Sequence, residues 1–179
     1  MSPAEKAMYD KGVDVYFQKS AWMDSDLNMQ WLSRTLLPAM SDKTSEKVIF
    51  ADKVSFQQEK QFHEACRKEV NASVYLLPEN HTDEVQPIDA GIGKLFKTKV
   101  GEAMEKWLEQ DENLDLWHDK IGAKDRRILM TKWAGEAWKE LSKDMDLFTK
   151  LLQKTGCLIT ADGSGDDKIR PQGLDPYLI

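Results

Sequence analysis

The sequence predicts an α/β fold, built on a parallel strand pair and followed by a helical C-terminal extension. Three observations carry this reading. Two short apolar runs, Val48-Ile49-Phe50-Ala51 and Ser73-Val74-Tyr75-Leu76-Leu77, flank a stretch of helical periodicity from Ser55 to Val70. A strand, a helix of that length and a second strand imply a parallel pair joined by a crossover. After Asp89 the apolar residues Ile92, Leu95, Phe96, Val100, Ala103, Met104, Trp107 and Leu108 fall on one helical stripe. Beyond Gly122 two further helical patterns follow with no strand signal between them.

Each element has a local reason. Val13 to Phe17 is rich in β-branched and aromatic residues and is expected to form a strand. Asp24 or Ser25 can cap a helix reaching about Leu37, where Pro38 ends it. A polar linker, Ser41 to Lys47, leads to the run at Val48, whose continuous apolar character suits a strand buried on both faces. In the crossover helix Phe62, Ala65, Cys66 and Val70 point inward, and Pro78 stops the strand that follows. Glu109 to Asp119 is acidic and expected to be a loop. The next helix is expected to bury Met130, Trp133, Ala134, Ala137, Trp138 and Leu141, and the shorter one Met145, Phe148, Leu151 and Leu152 before Gly156. Ala161 to Ile179, rich in Gly, Asp and Pro, is expected to be irregular. The expected segments are a core over 13–108, a helical extension over 109–160 and a tail over 161–179.

Composition narrows the function. At 179 residues, with 41% hydrophobic and 31% charged residues, the chain suits one folded domain. The net charge of −6 argues against a wholly basic nucleic-acid module, so any such contact is local. Two cysteines, Cys66 and Cys157, do not make a disulfide framework or a zinc motif, and a reducing compartment is expected. The N-terminal run MSPAEKAMYDKG is polar, without a secretory pattern, and no apolar stretch approaches the ~20 residues of a membrane span.

In parallel sheets ligands collect beyond the carboxyl ends of the strands. Asp52 stands there after the first apolar run, as does the loop from Pro78 to Ile88, and Asp89 opens the long helix. The run LPENHTDEVQPIDAGIGKLFK resembles the Leu-Pro-x-Asn-x-Thr-x-x-x-Gln-Pro-x-Asp signature of DDE-superfamily endonucleases related to the pogo, Tigger and jerky transposases. Leu77, Pro78, Asn80, Thr82, Gln86, Pro87 and Asp89 match it. VIFAD is similar to the family's strand ending in the second catalytic aspartate; RRILMTKWAGEAWKEL, KTGCLITADGS and IRPQGLDPY resemble the segments that close its catalytic region.

The resemblance implies a ribonuclease-H-like core and a two-metal phosphoryl-transfer site binding Mg²⁺ or Mn²⁺. In such a site acidic side chains from separate elements hold ions about 4 Å apart. By matching positions Asp52 is the second acid and Asp89 the third, and both are the implied metal ligands. The family's first two strands, its first catalytic aspartate and its helix-turn-helix region have no counterpart here, so the chain reads as an N-terminally truncated core. Asp14 has no motif support as a substitute, and Lys53 stands where the family commonly has Asn. The resemblance further implies DNA as partner, a nuclear location and a possible homo-oligomer, with no membrane association.

Plainer readings stand beside these. Asp89 without the motif is a helix cap, and Asp52 a strand-end turn residue. Lys94, Lys97 and Lys99 form a wet helix face, with DNA backbone contact as the functional alternative. His63 and His118 are expected to be solvated, His81 to be a loop residue, and Asp83, Glu84, Asp166 and Asp167 to face solvent. The leading expectation is a transposase-derived DDE endonuclease domain, ancestrally Mg²⁺-dependent in DNA cleavage and strand transfer. The rival is a non-catalytic, domesticated nuclear protein that binds DNA or protein, and an unstable remnant of a transposase is a third reading.

Overall fold

Ser2 Oγ accepts the Glu5 N–H of a single helical turn, α1 (Pro3–Lys6). The computed structural model describes residues 2–20, 22–40, 42–78, 85–158 and 164–169. They fall into two compact units, one within Met1–Asp14 and Pro87–Arg170, the other within Val15–Gln86.

In the Val15–Gln86 unit, the expected strand over Val13 to Phe17 is absent: residues 13–18 are irregular, and Phe17 is exposed. β-branched and aromatic residues favour a strand only where a neighbouring ladder takes their backbone groups, and the sheet among the described residues has two strands, neither of them here. Tyr16 instead pairs its hydroxyl with Thr35 Oγ1 at 2.6 Å. Asp24 caps α2 (Ser25–Trp31), its Oδ1 accepting the Leu27 N–H at 2.9 Å. A π-helical turn, Leu32–Leu36, then joins α3 (Leu37–Ala39), so the helix runs one residue past Pro38. Proline lacks an N–H and crowds the preceding turn of a helix; the wider π turn just before it accommodates that defect.

Strand β1 (Lys47–Ala51) and strand β2 (Ala72–Leu76) pair in parallel, Lys47 opposite Ala72 and Ala51 opposite Leu76. Between them a 3₁₀ turn, Ser55–Gln57, precedes α4 (Lys60–Val70), which buries Phe62, Cys66 and Val70 and ends at Asn71 in the left-handed conformation, φ 53°. Those three residues meet Leu32 and Ala72 in a closed core, with Met29, Trp31, Leu36, Ile49 and Val74 packed around it. The expectation that Val48-Ile49-Phe50-Ala51 is buried on both faces is corrected. Ile49 and Val74 turn to the core, whereas Val48 and Tyr75 are each 56% exposed and Phe50 is 38% exposed.

In the other unit a π-helical turn, Ile88–Ile92, leads into α5 (Gly93–Leu108), which packs along α7 (Ala123–Leu141). A side chain at Gly91 would meet Leu151 at 2.9 Å, so the missing Cβ lets α8 (Met145–Lys154) come close. The acidic stretch expected to be a loop is helical instead, as α6 (Asp111–Asp115) and a π turn, Leu116–Lys120. Asp111 and Glu112 sit in its first turn, where the helix dipole favours acids, and Trp117 joins Trp107 and Trp133 in a cluster with ring centroids 5.7–6.1 Å apart. The buried face of α7 also differs from the expected stripe. Ile128, Thr131, Trp133, Gly135, Ala137 and Leu141 are buried, while Met130 and Trp138 are each 46% exposed; on α8, Met145 is exposed. Thr131 and Gly135 are buried because the N-terminal segment lies on them: the Asp10 N–H donates to Thr131 Oγ1, and the Asp10 carboxylate rests against Gly135. Gly156, at φ 76°, ends α8 as expected. Of the expected tail only 164–169 is described, with a 3₁₀ turn at Asp166–Lys168.

Candidate active site

Both strands of the sheet stop at the same level, because the Leu77 N–H donates to Ala51 O at 2.9 Å and carries the parallel pairing one step past β2. The chain leaving β1 therefore begins at Asp52 beside the chain leaving β2 at Leu77 and Pro78. Asp52 is half-buried, and its Oδ1 accepts two hydrogen bonds, from the Lys53 N–H at 2.7 Å and from Gln86 Nε2 at 3.1 Å. Gln86 is itself buried. These donors fix the orientation of the carboxylate and leave Oδ2 without a partner among the described residues. The Gln86 contact with Asp52 was not legible in the motif, since a glutamine in a loop does not announce which acid it meets.

Asp89 belongs to the other unit. It lies in the first turn of the π segment, exposed, behind the buried Pro87, and accepts no hydrogen bond from the described residues. The plain reading of Asp89 as a capping side chain is thereby corrected: Pro87 occupies the cap position and there is no side-chain cap bond. What holds the turn is the Ile92 N–H donating to Pro87 O at 3.3 Å. A carboxylate at this end still meets the positive end of the helix dipole.

The three lysines of α5 are not equivalent. Lys94 and Lys97 are exposed, whereas Lys99 Nζ lies 2.7 Å from Glu140 Oε1 and 3.2 Å from Glu102 Oε2. Glu140 first and Glu102 second hold the Lys99 ammonium above its ordinary range. Lys53 is exposed, its carbonyl accepting from Gln58 Nε2. Asp14 lies in the irregular segment, not in a strand. His63, expected to be solvated, is half-buried with Nε2 2.8 Å from Gln57 O, so its ring is engaged by the turn before α4. His118 and Asp167 are exposed. Asn80, His81, Thr82, Asp83 and Glu84 lie outside the described residues, and so does the side chain of Asp166.

Asp52 offers one anchored carboxylate to a hard cation, yet among the described residues no three acidic, histidine or cysteine side chains converge. As described, these residues do not complete a two-metal centre.

Residues 4–147 match the family model of the DDE superfamily endonucleases. Neither the comparison with curated proteins nor that with solved structures returned a match.

Proposed function

The chain belongs to the DDE superfamily endonucleases, a family generally dependent on divalent metal, and from that premise we propose that it is a transposase-type nuclease domain acting on DNA in the nucleus, with Asp52 and Asp89 as two of its acids. The carrying observation is the hydrogen bond from Gln86 to Asp52. It ties the acid at the end of β1 to the Gln-Pro-x-Asp run that contains Asp89, and so joins the two halves of the motif that the resemblance rests on. In this reading the fold is ribonuclease-H-like, Mg²⁺ or Mn²⁺ is the ion bound, and Gln86 is a positioning residue that holds the Asp52 carboxylate in one orientation.

A second reading has its own support. Lys53 follows Asp52 directly, and the described acids form no cluster, which favours a derivative that binds DNA or protein without cleaving. Calorimetric titration with Mg²⁺ and Mn²⁺, run beside a nicking assay on supercoiled DNA, separates the two. The nuclease reading expects metal binding and nicking that are both lost in Asp52→Asn and Asp89→Asn. It also expects Gln86→Leu to weaken metal binding by about 10–100-fold, the usual effect of removing a group that orients a ligand. No heat and no nicking in the wild type would leave the non-catalytic reading.

A further inference from the structure

The unit within Met1–Asp14 and Pro87–Arg170 carries an open cleft of about 770 Å³ between residues 10–12 and α7. Its wall includes Trp138, 46% exposed. This indole is no loose surface ring. Phe96 and Phe148 meet it at centroid distances of 6.4 and 5.9 Å and interplanar angles of 74° and 73°, so α5 and α8 hold it in place while nearly half of it stays open. A large aromatic held in place while nearly half exposed is suited to receive another flat ring.

The charge around it selects the partner. Lys11, Lys132 and Lys139 line the same cleft; all three are exposed, and none forms an ion pair with a described residue. That sets them apart from Lys99, which its two glutamates occupy. Two acids also line the cleft. Asp10 is half-buried, accepting the Gly12 N–H at 2.8 Å and lying against Gly135, and Glu136 is exposed, so three lysines face two acids. In a chain of net charge −6 this is a local cationic patch around an aromatic platform. Single-stranded nucleic acid is recognised by that combination, lysines following the phosphates and an aromatic ring stacking on a base.

We propose that this cleft binds single-stranded DNA, with a base stacked on Trp138 and the neighbouring phosphates on Lys11, Lys132 and Lys139. The choice of DNA rests on the nuclease reading above; the platform and its charges do not. Neither Asp52 nor Asp89 lines this cleft.

The test is fluorescence anisotropy of a labelled oligothymidylate with the full chain in EDTA, where no cleavage contributes. Trp138→Leu is expected to weaken binding by about 10-fold or more, the order lost with one stacked base. Lys11→Gln, Lys132→Gln and Lys139→Gln together are expected to reduce the slope of log affinity against log salt by about 2. Since Trp138 also touches Phe96 and Phe148, the lysine variant, altered only at exposed side chains, decides the matter if Trp138→Leu does not fold. Affinity and slope unchanged in both variants overturn the proposal, as does a wild type that does not bind. Equal competition by polyglutamate, an anion without bases, overturns it too. Failure of metal binding in the calorimeter with intact strand binding here removes the nuclease reading alone.

Discussion

The two faces of the β1–β2 sheet are made from the same kinds of residue and meet different fates. On one, Ile49 and Val74 lie against a core whose members, Leu32, Phe62, Cys66, Val70 and Ala72, are at most 1% exposed. On the other, Val48, Phe50 and Tyr75 stand open, with Phe50 and Tyr75 meeting edge to face at 5.9 Å. Parallel sheets are ordinarily covered on both sides. Stability in this unit therefore comes from one side, where α2, its π turn and α4 close over the strands. The open side contributes cross-strand contact and little burial.

Substitutions on the two faces sharpen this contrast. Phe62→Ala, on the covered side, is expected to have the largest effect, a loss of about 3–5 kcal/mol in urea unfolding, because it opens a cavity in a core that cannot collapse around it. A loss below about 1 kcal/mol would mean that this core is loosely packed. Asp24→Ala removes the cap of the helix that brings Leu32 to the same core, and about 1 kcal/mol should go with it. Val48→Thr, on the open side, should shift stability by no more than about 0.5 kcal/mol. A larger loss would show that this face is covered in solution.

Cys66 reports on the covered face without a change in packing. Burial pushes its thiol up to about 11 from an ordinary 9. The folded state thus keeps the proton where the unfolded chain releases it, and stability should fall as pH rises from about 9 towards 11. Cys66→Val should flatten that fall. Under native conditions near neutral pH, mass spectrometry after alkylation should find Cys157 modified well before Cys66, and equal rates would contradict a closed core.

Where signals were local, the sequence was readable. The alternation of apolar and polar residues in Ser55 to Val70, the Asp24 cap and the Gly156 stop all act within a few positions of themselves, and each element stands where these residues put it. Val13 to Phe17 misled because a strand depends on a partner that no local pattern supplies. Glu109 to Asp119 misled because its acids conceal Trp117, whose ring meets Trp133 of the next helix. Exposure of the sheet face was not legible either, since Val-Ile-Phe-Ala reads the same whether one side is covered or both. At the candidate site, the motif named Asp52, Gln86 and Asp89 as residues of interest. Only the structure showed that Gln86 donates to Asp52 and that Lys99 is engaged by glutamates.

The contact between the N-terminal turn and α7 bears on the order in which the chain becomes folded. Glu5 is 6% exposed, and its carboxylate receives the Tyr9 hydroxyl at 2.7 Å and Arg127 Nε at 2.9 Å, which together hold it below the ordinary carboxylate range. Arg127 and Thr131 stand more than a hundred positions from their partners Glu5 and Asp10. Contacts of such separation close late, after the intervening chain has paid its loop entropy. Residues 2–10 precede α7 in the chain and find their seat only when that helix has followed them. Within Val15–Gln86 the partners of β1 and β2 stand only 25 positions apart, so they close earlier. The turn at Pro3–Lys6 thus docks late, a latch that reports completion of α7.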